Sequence, residues 1–193
     1  MFIDSQSLRV DAFTEMPINP RFPPAGNRLA PLRAVEFVAF PSVQMLDLTG
    51  PMQVFASAND AMTEAGRIPP YSFRVVAQNV QSITASSGLC LTTDALSRED
   101  APLDTLVIAG GPGVDAAAAD PVLVDWIRCR VKAARRVASV CTGAFLLAAS
   151  GALDGRRATT HWSFCDELAR RFPMVRVEAE PIFVRDGAVS PLN

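Results

Sequence analysis

Short apolar runs alternate with segments of helical spacing along most of this chain. The run AVEFVAF (34–40) predicts a buried strand, PSVQMLDLTG (41–50) reads as a loop, and PMQVFASANDAMTEAG as a helix with Pro51 in its first turn and Gly66 past its end. YSFRVVA (71–77) and DTLVIAGG (104–111) predict further strands, and Cys90 lies in another strand-like run, SGLCLTTD. Asp120 and Pro121 open a helix whose Leu123, Val124, Ile127 and Val131 keep helical spacing. RVASV (136–140) is the next strand, and it runs into a helix from Cys141 that ends near Gly151. RATT (157–160) and HWSFCDELARRF repeat the strand-then-helix pattern, and VRVEA and IFVRD close the chain as short strand-like runs. Strands alternating with helices predict an α/β fold with a mostly parallel, doubly wound sheet. Residues 1–33 differ: EMPINPRFPPAGNRLAPLR holds five prolines with neither period, and predicts a disordered extension ahead of one domain at 34–193.

Composition narrows the class. With 193 residues, 49% hydrophobic and 20% charged, the chain is long enough for one domain with a sizeable core. The net charge is −2 and basic residues run no further than pairs such as Arg135-Arg136, so no footprint for nucleic acid or an anionic membrane surface is present. A small molecule or another protein is the expected partner. Cysteines at 90, 129, 141 and 165 form no C-x-x-C pair, and His161 is the single histidine, which fits reduced thiols in a cytoplasm and no metal site. The start MFIDSQSLRV lacks a signal peptide's charged and apolar regions, and no 18 apolar residues run together, so no membrane span is expected. No nucleotide pattern is visible either, and no cofactor is expected.

Candidate chemistry gathers where strands enter helices, because ligands in open parallel sheets bind at the carboxyl ends of strands. Cys141 sits at such an end in S-V-C-T-G (139–143), with small residues on both sides as a tight strand-to-helix elbow requires. A helix N-terminus facing the sulfur predicts a thiolate favoured over the thiol. Without the elbow, a small packing thiol would be the reading, as it is for Cys90, Cys129 and Cys165. AGGPG (109–113) follows a strand directly, and its glycines suit either a tight turn or backbone amides that approach a ligand. Asp47 in LDLTG is a helix cap by pattern alone, or an acid/base partner of the thiol. His161, after RATT, is the one imidazole available to Cys141, although a lone histidine is more often structural.

FPSVQMLDLTGPMQVF, DTLVIAGGPG, SVCTGAFLLAASGALDGRRATTHW and DELARRFPMVRVEAEPIFVRDG together resemble the ThiJ/PfpI superfamily over residues 34 to about 189, closest to the GlxA-like N-terminal domain of AraC-family regulators. The resemblance implies a flavodoxin-like three-layer sandwich of the class I glutamine amidotransferase type. It implies Cys141 as the elbow nucleophile, Asp47 as the acid bonded to its sulfur, Gly111 with Thr142 as the backbone amides lining an oxyanion pocket, Gly110 at the same oxyanion or ligand site, and His161 as a neighbour. A near branch, the isonitrile hydratases, shares LDLTGP and CTG and adds water to an isonitrile. Protease-like members carry a histidine after the cysteine where this chain has Thr142, which argues against peptidase activity. Family sequences continue after RDG through a strand and a long helix, and regulators then add helix-turn-helix motifs, whereas this chain reaches AVSPLN. The expected protein is therefore a ligand-sensing domain, dimeric, without its last strand and helix or its DNA-binding module; a cysteine-dependent hydratase and an oxidation sensor at Cys141 are the alternatives.

Overall fold

A computed structural model describes residues 32–78, 81–98 and 100–192. The proline-rich extension lies outside the described residues up to residue 31, and the first strand already begins at Arg33. The strands are β1 (Arg33–Val38), β2 (Tyr71–Ala77), β3 (Gln81–Thr84), β4 (Cys90–Ala95), β5 (Leu103–Ile108), β6 (Ala134–Val140), β7 (Arg157–Ala158), β8 (Arg176–Val177) and β9 (Val189–Leu192). The helices are α1 (Met45–Glu64), α2 (Val114–Ala118), α3 (Pro121–Ala133), α4 (Gly143–Ala149) and α5 (Cys165–Arg171).

Among the described residues, seven strands form one sheet in the order β3-β4-β2-β1-β5-β6-β9, parallel throughout except for the β3–β4 hairpin. The chain winds outward from β1 through β2 to one side, then returns to β5 and winds to the other. Right-handed crossovers in opposite directions place their helices on opposite faces. Alternation along β1 shows both layers: Phe37 meets Phe55 of α1 edge-on at 6.0 Å, while the next side chain back, Glu36, receives Arg130 of α3 at 2.9 Å. The core between them is apolar and closed, with Phe37, Leu48, Leu106, Ile108, Ile127, Phe145, Leu146 and Leu147 all under 2% exposed. This is the three-layer flavodoxin-like architecture that the strand–helix alternation and the resemblance imply.

Four details depart from the sequence reading. The stretch read as a loop through residue 50 becomes helical at Met45, because Met45, Leu48, Met52 and Phe55 already keep the spacing that packs α1 on the sheet. Pro51 therefore lies inside the helix rather than in its first turn, and the amide it lacks is the one that would have bonded the Asp47 carbonyl. At the other end Gly66 adopts φ 66°, and the Arg67 and Gly66 amides bond the Met62 and Thr63 carbonyls at 2.8 and 2.9 Å, a Schellman closure of the predicted helix end.

RATT, second, contributes no strand to the central sheet: β7 pairs with β8 in a separate two-stranded ribbon. Third, the short helix α2 and strand β3 have too few residues to carry a period. Fourth, the strand expected to be missing is present. AVSPL forms β9, parallel to β6, and IFVRD does not stand as an independent strand but folds back along β9 through bridges Phe183–Leu192 and Asp186–Val189. The Val184 amide bonds the Pro191 carbonyl at 3.0 Å, so the outer edge of β9 is not the bare row of backbone groups that a missing strand would leave.

Candidate functional site

β1, β5 and β6 are neighbours in the sheet, and the winding reverses between β1 and β5. Their carboxyl ends therefore open a crevice where an α/β sheet places ligands. Each strand delivers one part of the site: Asp47 comes from the first turn of α1 after β1, Gly110 and Gly111 follow β5, and Cys141 with Thr142 follow β6. Among the described residues no helix is long and apolar enough to cross a membrane, and no cluster of three or more His, Cys, Asp or Glu is placed to hold a metal ion.

Cys141 is held at φ 51°, a region that L-residues rarely occupy. Two bonds fix this strained backbone. Its N–H donates to the Leu192 carbonyl of β9 at 3.0 Å, and its carbonyl accepts from the Thr160 hydroxyl at 2.9 Å. The strand that the sequence reading omitted thus pins the backbone of the candidate nucleophile. Thr160 is fully buried, and its only sequence signal is a polar β-branched residue at the end of RATT.

The thiol donates to the Asp47 carboxylate, and the Thr142 amide and hydroxyl both reach the sulfur. Burial pushes the Cys141 thiol above its ordinary value, the negative charge of Asp47 pushes the same way, and the two Thr142 donors oppose them in part. The shift runs opposite to the expected thiolate, because burial and an adjacent carboxylate both raise the thiol. Asp47 is itself raised, chiefly by burial, with partial relief from the Gly110 amide, the Cys141 thiol and the positive end of His161. Both members of the pair are thus held toward their protonated forms, each chiefly by burial.

The glycine pair does something other than await an oxyanion. The Gly110 N–H donates to Asp47 Oδ2 at 3.2 Å, and the Gly111 N–H donates to Thr142 Oγ1 at 2.9 Å, so both amides hold the site together from within. A Cβ at Gly110 would meet Thr142 N and Oγ1 at 2.7 Å, and Gly111 has φ 137°, where a side chain is strained. AGGPG is more than a turn, because these contacts require glycine. Asp47 does not cap α1; Gln44 occupies the cap position without a side-chain bond, and the Asp47 carboxylate turns to Gly110 and the thiol. His161 precedes a single 3₁₀ turn at Trp162–Phe164, stacks on Trp162 at 5.4 Å, and holds Nδ1 against Ser163 Oγ at 2.6 Å.

These residues border a pocket of about 550 Å³, within the small-molecule range. Asp47, Gly111, Cys141, Thr142 and His161 all line it, whereas Gly110 lies behind, gripping Asp47. The pocket also recruits residues the sequence reading missed: Gln44, Val114, Asp115, Phe145, Phe164, Glu167 and Arg171. One signal was available, the i,i+4 spacing of Glu167 and Arg171 on α5.

Residues 33–190 match the DJ-1/PfpI family model. The isonitrile hydratase of Pseudomonas putida is 37% identical over 79% of this chain and 61% of its own length. The HTH-type transcriptional regulator GlxA of Rhizobium meliloti is 31% identical over 70% of this chain and 43% of its own. A ThiJ/PfpI family protein from Pseudomonas syringae superposes with a TM-score of 0.71 at 26% identity, covering 89% of this chain and 70% of that one. The chain thus spans less than two thirds of the length of each of these two curated relatives.

Proposed function

The chain belongs to the DJ-1/PfpI family, and from that premise we propose that residues 33–192 work as a ligand-sensing domain of the kind carried by AraC-type regulators, with any DNA contact left to a module outside this segment. The observation that carries the reading is the state of the pocket. Its cysteine is pushed toward the thiol by burial and Asp47, and the Gly111 amide that an oxyanion would need is already bonded to the Thr142 hydroxyl, with Gly110 turned to Asp47 behind the pocket. A site so arranged favours holding a ligand over forming a charged tetrahedral intermediate. Thermal denaturation against a panel of small molecules tests it. A ligand at a hundred times its Kd adds about 2.7 kcal/mol, or roughly 5–10 °C for a domain of this size. That gain should vanish when the pocket wall is altered by Phe145→Ala in a variant that still folds. A pocket that no compound stabilises in this way overturns the reading.

A second reading is favoured by the hydratase relative together with the thiol–carboxylate pair. Here Asp47 takes the thiol proton as sulfur attacks the terminal carbon of an isonitrile, and returns that proton to the same carbon, leaving a thioimidate. Water then adds with Asp47 as base, the nitrogen is protonated, and sulfur departs to leave the N-substituted formamide. Incubation with cyclohexyl isonitrile separates the two readings. The sensor predicts no formamide above a Cys141→Ala control, and steady turnover would establish the hydratase.

A further inference from the structure

The wall of the pocket facing Cys141 carries charge that neither reading above uses. Arg171 of α5 is the one guanidinium or ammonium group among the described lining residues, and it is paired with two carboxylates. Its Nη1 donates to Asp115 Oδ1 at 2.6 Å and to Glu167 Oε1 at 3.3 Å, and its carbon lies 4.9 Å from the ring centre of Phe145. Two carboxylates thus answer one cation, and Asp47 adds a third acidic group at the pocket floor. His161 offsets Asp47 in part, its Nδ1 lying against Ser163 Oγ, and leaves the two carboxylates of the α2 and α5 side facing Arg171. Part of the remaining lining is apolar: Phe145 and Phe164 meet edge-to-face at 6.4 Å, and Val114 also lines the pocket, alongside the uncharged polar Gln44 and Thr142. Low-dielectric walls focus a surplus of one charge sign instead of dissipating it. An anion entering would shed its hydration against an excess of carboxylates whose one guanidinium is already paired, whereas a cation meets carboxylates beside an aromatic wall.

We infer that this pocket selects its ligand by charge, taking compact organic cations with an apolar body and turning away carboxylates and phosphates. The inference rests on the reading of the Cys141 pocket as the ligand site, and the experiment separates the two. The full chain is treated with three methanethiosulfonates that share a warhead and differ in charge: 2-aminoethyl, ethyl and 2-sulfonatoethyl. In each, the Cys141 sulfur displaces methanesulfinate and forms a mixed disulfide, and peptide mass mapping reads the rate at that residue. The cation-to-anion rate ratio at Cys141 in the folded protein should exceed the ratio in the urea-unfolded chain by on the order of tenfold or more, with the neutral reagent between. Asp115→Asn with Glu167→Gln, checked for folding by circular dichroism, releases Arg171 and should cut that ratio at least about fivefold. Equal folded and unfolded ratios overturn charge selection. A ratio untouched by the double substitution overturns the role of the α5 wall and leaves Asp47 alone as its source. Failure of all three reagents to reach folded Cys141 removes the pocket reading itself.

Discussion

Gly110 is the position where the smallest possible change reaches the whole site. An added methyl at this residue would lie 2.7 Å from both the amide nitrogen and the hydroxyl of Thr142, and 2.9 Å from Asp47 Oδ2. Such contacts are ordinary only beyond about 3.4 Å. The neighbours are poorly able to retreat, since Thr142 is tied to Gly111 and the backbone of Cys141 to Leu192 and Thr160. Gly110→Ala must therefore wedge Asp47 away from Thr142 and Cys141. Overpacking of this kind costs about 1–3 kcal/mol, offset by roughly 0.5 kcal/mol because alanine restricts the unfolded chain at a position whose φ it tolerates. At about 2–4 °C per kcal/mol for a domain of this size, the melting temperature should fall by roughly 1–10 °C. The same wedge weakens the influence of Asp47 on the thiol, so the pH–rate profile of Cys141 alkylation should move toward acid. A variant with wild-type melting and a superimposable profile would show that the three strand ends are not packed against one another as described.

Asp47→Asn removes a charge that raises the Cys141 thiol, so iodoacetamide should label Cys141 faster at neutral pH than in the wild type; an unchanged rate would separate the two residues. Because Asp47 binds its proton more tightly folded than unfolded, its contribution to stability is full below the ordinary value of 3.8 and is lost as pH rises through the raised folded value. The melting temperature of the Asn variant relative to wild type should accordingly climb between acid and neutral pH in scanning calorimetry. Arg130→Met strands Glu36, itself 2% exposed, with only the half-exposed Arg74 as partner, and should cost about 3–5 kcal/mol in urea unfolding. Adding Glu36→Leu should recover most of that loss, and a double variant as weak as the single would refute the pairing argument. Thr160→Val leaves the buried Cys141 carbonyl without its donor and should cost about 1–3 kcal/mol by the same measurement, with no loss expected if water replaces the hydroxyl.

The parallel sheet was legible because β1, β5 and β6 are apolar runs of six or seven residues followed by turns and helices, a pattern that few other folds produce. Asp120 with Pro121 marked the start of α3, and its carboxylate does accept the Val122 and Leu123 amides. Pro51 misled for a definite reason. Proline's preference for a first turn is strong, but four apolar side chains at helical spacing on either side of it outweigh the loss of one backbone bond. The two-residue strands β7 and β8 have no period at all, so RATT and VRVEA could not reveal that they pair with each other and not with the sheet.

The placement of Cys141, Asp47 and the glycines at neighbouring strand ends followed from strand order, but their roles depended on distances across three strands that no local pattern encodes. A helix N-terminus and a cysteine are adjacent in sequence, so a thiolate is the natural local inference. The opposing group, Asp47, is ninety-four positions earlier and arrives only because β1 lies two strands from β6. Burial and that carboxylate act in the same direction and prevail. Likewise, Gly110 and Gly111 look like open amides until Asp47 and Thr142 are brought against them. What the sequence conveyed was which residue types converge; what only the fold conveys is that their donors and acceptors are spent on one another, leaving a neutral thiol at the floor of an apolar pocket with a negatively charged wall.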